Sequence, residues 1–234
     1  MLCKFSERKM KPMNQTPLMN QTPLDIGMLL YPRFTMLDLV GPMTAFSMHS
    51  NIRLLSKTLD PVPSDTAGVA ILPTVTLHQC PPKLDVLFVP GGFGTADAMR
   101  DAQLIEFVRH AGSGASYITS VCLGALILGA AGLLDGYQAT THWAAHEQLR
   151  RFGAVPVKAR VVTDRNRFTG GGVTAGIDFG LTLLARLRGE NEAQAVQLMM
   201  EYAPDPPFDA GSPDTASPAI VKRVQKVLAE TFPV

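Results

Sequence analysis

The sequence predicts an α/β fold, a doubly wound and mostly parallel sheet with helices on both faces. Three observations carry this. Short apolar runs alternate with stretches of helical periodicity through most of the chain. Three of those runs end in turns built from small residues, Pro90-Gly91-Gly92, Val121-Cys122 and Gly170-Gly171-Gly172. At 234 residues, with 46% hydrophobic and 18% charged, the chain can bury the core of one large domain.

The elements follow in order. Residues 1–24 read as a disordered leader, because residues 13–18 and 19–24 repeat the polar hexamer Met-Asn-Gln-Thr-Pro-Leu, which cannot build a core. One domain then runs over 25–234. Ile26 to Leu30 is a strand stopped by Tyr31-Pro32. Thr35 to His49 has helical spacing, with Gly41-Pro42 implying a late start or a kink. Ile52 to Leu55, Val69 to Leu72 and Leu84 to Val89 read as strands, the last being the clearest. A helix over Ala98 to His110 precedes the strand Tyr117 to Val121 and a helix of small apolar residues, Leu123 to Ala131. Tyr137 to Trp143 starts extended and leads into a helix at Ala144 to Arg151. Val161 to Thr163 and Arg167 to Thr169 flank a turn at 164–166. Helices at Ala175 to Leu187 and Glu192 to Tyr202 precede an irregular proline-rich stretch over 203–218 and a last helix at Ala219 to Glu230.

Composition excludes several classes of function. Lys and Arg number 21 against 20 Asp and Glu, with no basic stripe, so nucleic acid is not expected as a partner. No run reaches the length of a membrane span, and the basic N-terminus is not followed by the apolar stretch of a signal peptide. Cys3, Cys80 and Cys122 are odd in number and scattered, which fits a reducing cytoplasm and suggests neither a disulfide framework nor a zinc site.

In an open parallel sheet, sites form beyond the carboxyl ends of the strands. Cys122 lies at such an end, at a strand-to-helix turn facing the positive end of a helix dipole, which favours a thiolate. The alternative is a small cysteine filling a core gap. Asp38, in Leu37-Asp38-Leu39, is either a solvated first-turn carboxylate or a desolvated one able to move protons near neutral pH. The backbone N–H groups of Gly92 and Leu123 are candidate donors to a developing negative charge if Cys122 is a nucleophile. Gly91-Gly92-Phe93-Gly94 lacks the ending of a phosphate loop. His142 is a candidate base or a core histidine bonded to backbone, His146 reads as surface helix, and Asp178 reads as a helix-start charge or an interface residue.

These pieces resemble the ThiJ/PfpI superfamily, which shares a flavodoxin-like fold with class I glutamine amidotransferases, and within it the isonitrile (isocyanide) hydratase branch. The resemblance rests on Asp25-Ile-Gly-Met-Leu-Leu-Tyr-Pro32, Leu37-Asp38-Leu39 with Gly41-Pro42, Val89-Pro-Gly-Gly92, Thr119-Ser-Val-Cys122 and Ala130-Ala-Gly-Leu-Leu134. It rests also on Ala139-Thr-Thr-His-Trp143, on Thr169 to Asp178 and on the proline-rich Glu201 to Pro213, and it covers about residues 25–215. It implies a catalytic Cys122 at a nucleophile elbow and an acid/base Asp38. The implied reaction adds water to an isonitrile, giving an N-substituted formamide through a Cys122 thioimidate. No cofactor or metal is implied, and a homodimer is. One departure is Leu123, where the hydratase pattern has Thr. The backbone N–H is kept and a hydroxyl near Asp38 is lost.

Two other functions fit the same pattern. One is a different thiol enzyme of this fold, such as a glyoxalase-like hydratase. The other is a non-enzymatic ligand-sensing module, since such domains occur fused to helix-turn-helix regions. The roughly twenty residues after Pro213 are too few for that partner.

Overall fold

The computed structural model describes residues 22–231. The first hexamer repeat, the first half of the second and Cys3 lie outside the described residues. The first strand opens at Leu24, within the stretch expected as leader, because Leu24 is buried and its N–H donates to the His49 carbonyl at 2.9 Å.

The elements are β1 (Leu24–Leu29), α1 (Met36–Phe46), β2 (Ser50–Ser56), β3 (Val62–Pro63), β4 (Ala70–Ile71), β5 (Val75–Thr76) and β6 (Val86–Val89). Then come α2 (Thr95–Arg100), α3 (Ala102–Gly114), β7 (Tyr117–Val121), α4 (Gly124–Ala130), β8 (Gln138–Ala139) and a 3-10 helix at Trp143–Phe152. The chain closes with β9 (Val155–Pro156), β10 (Val161–Asp164), β11 (Arg167–Gly170), α5 (Ala175–Arg188), α6 (Glu190–Met199) and α7 (Pro218–Thr231).

Seven strands form one sheet in the order β10-β11-β7-β6-β1-β2-β5. All neighbours are parallel except β10 and β11, which form an antiparallel hairpin at one edge. The four central strands β11, β7, β6 and β1 carry almost unbroken buried runs, because helices cover both of their faces. On one side α1 packs on α5 and α5 on α6; on the other α2, α3 and α4 pack together. Phe179 of α5 ties the first layer to the sheet. Its ring lies 6.3 Å from Phe46 of α1 and 5.6 Å from Phe88 of β6.

Several sequence expectations need correction. Helix α1 neither starts late nor runs to His49; it passes through Pro42 and ends at Phe46. Pro42 is kept there by packing, since α1 and α5 approach so closely that a Cβ on Gly180 would lie 2.9 Å from that of Ala45. The single helix expected at Ala98 to His110 is two, broken at Asp101, whose extended backbone and side chain cap α3 through the Leu104 N–H at 3.2 Å. The strand expected at Val69 to Leu72 is a two-residue piece of the small β3–β4 hairpin, and the sheet's edge strand is β5. The helix expected at Ala144 to Arg151 is a 3-10 helix. Among the described residues no helix is long and apolar enough to cross a membrane.

This topology positions the site. The chain leaves the carboxyl ends of four neighbouring strands toward one edge of the sheet. β1 leads to α1 and Asp38, β6 to Pro90-Gly91-Gly92, β7 to Cys122 and β11 to Gly171–Thr174.

Candidate active site

Cys122 occupies the turn between β7 and α4 with φ 56°, a left-handed conformation that costs an L-residue energy. The strain is held from three sides. The Cys122 N–H donates to the Gly170 and Gly171 carbonyls at 3.1 and 2.8 Å, and the Thr141 hydroxyl donates to the Cys122 carbonyl at 2.6 Å. The sharp turn swings the side chain off the sheet edge, as in a nucleophile elbow. The residue is buried, and the N–H groups of Leu123 and Val173 face its sulfur.

Asp38 sits in the first turn of α1 but has no exposed surface, so the desolvated alternative holds. Its Oδ2 accepts the Gly91 N–H at 2.9 Å, and it shares a hydrogen bond with the Cys122 thiol. Its Oδ1 is buried and has no hydrogen-bond partner among the described residues. Gly91 fills the space between the two groups. A Cβ there would lie 2.9 Å from both Asp38 Oδ2 and Cys122 Cβ and would run into the Leu123 nitrogen. Only glycine lets the carboxyl, the thiol and this turn meet.

Burial pushes the Asp38 carboxyl up to about 7, against the Gly91 N–H and the Cys122 thiol, which favour its charged form. Burial, and next the Asp38 charge, push the Cys122 thiol well above its ordinary value. The Leu123 and Val173 N–H groups pull the other way and do not win. Burial first, and then the carboxyl beside the sulfur, oppose the thiolate that the helix end alone would favour. The two groups titrate as a pair.

The other sequence candidates fall as follows. Leu123 does aim its N–H at the sulfur. Gly92 lies in the turn that follows β6. Its carbonyl accepts the Thr95 hydroxyl at 2.7 Å, and the side a Cβ would occupy faces Arg33, Phe34 and Thr35. Gly91 and Val173 supply N–H groups to the pair that the sequence reading missed. The glycine pair is visible as a motif, but the sequence does not say which of its amides meets Asp38. His142 caps the 3-10 helix, accepting the Ala144 N–H on Nδ1 at 3.4 Å, and burial lowers its basicity. His146 is buried, not a surface residue, with Nε2 3.2 Å from the Thr140 hydroxyl. Asp178 binds the Arg160 guanidinium and the Tyr202 hydroxyl, at 2.5 and 3.0 Å.

A cleft of about 670 Å³ lies beside the pair, lined by His142, Trp143, Arg160, Gly172, Val173 and Ser212 among others. Val173 both lines this cleft and turns its N–H toward the Cys122 sulfur. Among the described residues no group of three or more His, Cys, Asp or Glu could hold a metal ion.

A sequence profile described as the DJ-1/PfpI family matches residues 25–186, a span that holds Asp38, Gly91, Cys122 and Val173. The chain belongs to the DJ-1/PfpI family. Among its relatives, a protein named isonitrile hydratase from Pseudomonas putida is 53% identical over 211 residues, covering 89% of this chain and 92% of that one. A crystal structure of a ThiJ/PfpI family protein from Pseudomonas syringae superposes with a TM-score of 0.88 at 51% identity, covering 97% of this chain and 94% of the other. A protein named HTH-type transcriptional regulator GbdR from Pseudomonas aeruginosa is 30% identical over 197 residues, 80% of this chain but 53% of that one.

Proposed function

We propose that this chain is an isonitrile hydratase, adding water to an isonitrile to give an N-substituted formamide, with Cys122 as nucleophile and Asp38 as the proton carrier. The observation that carries this is the buried thiol–carboxyl pair closed over Gly91. The pair holds one shared proton near neutral pH, which is what the reaction uses. The 53% identical relative named isonitrile hydratase supports the substrate class.

The steps balance as follows. In the one-proton pair the thiol proton passes to Asp38 across their shared hydrogen bond, leaving Cys122 thiolate, and that proton then moves from Asp38 to the terminal carbon of R–N≡C. The sulfur bonds to the same carbon, giving the thioimidate R–N=CH–S–Cys122. Asp38, now a carboxylate, takes a proton from water as the oxygen adds to that carbon, and returns the proton to nitrogen. The tetrahedral adduct then loses its hydroxyl proton to Asp38 and expels the thiolate, releasing R–NH–CHO. The starting state is regenerated. The Leu123 and Val173 N–H groups stabilise the sulfur anion whenever it is free. Burial of Asp38 costs little in the acid form, so a proton is available at neutral pH.

Leu123 shapes the site by what it lacks. With Leu instead of Thr beside the cysteine, no hydroxyl from this position can pair with Asp38, in keeping with an unpartnered Oδ1. We take the enzyme to work as a cytoplasmic homodimer on a small organic isonitrile.

The test is turnover of an aryl isonitrile by purified protein, with the formamide followed by mass spectrometry. Wild type is expected to turn over, and Cys122→Ser and Asp38→Asn are expected to be inactive while folded. No formamide from folded wild type across several isonitriles would overturn the assignment.

A further inference from the structure

We propose that Tyr31 is a positioning residue for this reaction, acting on Asp38 through the single peptide that joins Pro90 to Gly91. The inference rests on the roles given above to Asp38 and Cys122. The Tyr31 hydroxyl donates to the Pro90 carbonyl at 2.9 Å. The N–H on the other side of that same peptide, that of Gly91, donates to Asp38 Oδ2 at 2.9 Å. None of the described peptides is cis, so this C=O and N–H point in opposite directions from one rigid plane. The result is a chain: hydroxyl to carbonyl, then amide to carboxyl.

Two physical effects follow. The donation to the carbonyl polarises the peptide and makes its N–H a stronger donor, as in other hydrogen-bond chains. It also fixes the rotation of the peptide plane and so the aim of the N–H. Tyr31 is suited to this because it is a fully buried residue next to β1, and burial keeps its phenol protonated.

Hydrogen counting separates Tyr31 from its neighbour. Thr95 Oγ1 lies 3.2 Å from the Tyr31 oxygen and donates its own hydrogen to the Gly92 carbonyl at 2.7 Å. Each hydroxyl has one hydrogen, and each is spent on a different carbonyl. Thr95 therefore holds the peptide that joins Gly92 to Phe93 and does not polarise the one that serves Asp38. The loop is pinned at a third point, where the Gly91 carbonyl accepts the Thr35 N–H at 2.9 Å. The titratable groups facing Asp38 are Cys122 across the site, Asp65 from the β3–β4 loop and Tyr31 itself.

The experiment is the pH dependence of Cys122 alkylation by iodoacetamide, read on the Cys122 peptide by mass spectrometry. It needs no isonitrile, so it stands whether or not the hydratase assignment does. Reactivity rises as the pair loses its first proton, near pH 7 in wild type. In Tyr31→Phe the rise should move to higher pH, by on the order of half a pH unit. Thr95→Val should leave it in place. Replacing Tyr31 with 3-fluorotyrosine, a stronger donor of the same shape, should move it to lower pH and serves even if the Phe variant does not fold. The proposal is overturned if fluorotyrosine leaves the midpoint unmoved or raises it. It is overturned equally if Tyr31→Phe and Thr95→Val shift the midpoint alike, which would mark Tyr31 as simple loop packing. A normal midpoint shift without any formamide turnover would keep this inference and sink the hydratase reading.

Discussion

Asp38→Asn should make the protein more stable above pH 7 while abolishing its chemistry. Asp38 is fully buried, and its carboxyl is raised from an ordinary 3.8 to about 7, mainly by desolvation. A group whose folded pKa lies above its unfolded one stabilises the fold most below the unfolded value. That stability is lost as pH climbs to the folded value. Here the window runs from about pH 4 to pH 7, and over it the native state binds the extra proton. The gap corresponds to roughly 4 kcal/mol between the two ends. Asparagine carries no charge at any pH and still offers an oxygen to the Gly91 N–H, which donates to Oδ2 in the wild type. Its buried NH₂ takes the place of an oxygen that has no partner and costs about 1–3 kcal/mol. Asp38→Asn should therefore be less stable than wild type at pH 4 and more stable at pH 8, by about 2 kcal/mol there. At pH 8 that is a Tm increase of roughly 4–8 °C for a chain of this size. The assay is urea unfolding of both proteins at pH 4, 6 and 8, checked for equal m-values. A stability difference that stays constant from pH 4 to pH 8 would refute the reasoning, because it would mean that Asp38 is not a desolvated carboxyl.

Four further outcomes follow from the same geometry. Gly91→Ala puts a Cβ 2.9 Å from Asp38 Oδ2 and Cys122 Cβ, so turnover should fall at least ~100-fold and stability by about 1–3 kcal/mol, read by kinetics and urea melts. Cys122→Gly should be about 1 kcal/mol more stable than Cys122→Ala, since φ 56° strains any residue with a Cβ; calorimetry would show the order. The rate of the wild-type reaction should rise with pH through about 7, as the pair passes from two protons to one, and fall again only in strongly basic buffer. Leu123→Thr should move that rise to lower pH by giving Asp38 a hydroxyl donor, and a pH–rate profile would show it.

The layers of the fold were legible in the sequence because they depend on local pattern. The apolar run of β6 is buried throughout and that of β7 from Ile118 onward, and the turn after each falls where the composition changes. Cys122 could be placed at a strand end from those runs alone. What was not legible depends on contacts between distant segments. Leu37-Asp38-Leu39 reads equally well as a solvated helix start, and only the Pro90-Gly91-Gly92 turn packed over it makes Asp38 a buried acid. The direction of the Cys122 shift is not legible for the same reason. The helix end is visible in the sequence, whereas the burial of the sulfur and the carboxyl brought to it by α1 are not. The break at Asp101 hides inside continuous helical spacing, because a capping side chain costs one residue and leaves the apolar pattern intact. Tyr31 looked like a strand stop, since nothing in its neighbours says which carbonyl its hydroxyl will meet.

The measurement that bears most directly on the account is the intact mass of the protein during reaction with an aryl isonitrile, followed by peptide mapping. Cys122 should carry an adduct of one isonitrile, equal in mass to the substrate because the thiol hydrogen stays on the new carbon. The adduct should be released as formamide, with oxygen-18 from labelled water in the product. Formamide production by Cys122→Ser at the wild-type rate, with no adduct on the wild-type peptide, would contradict the account.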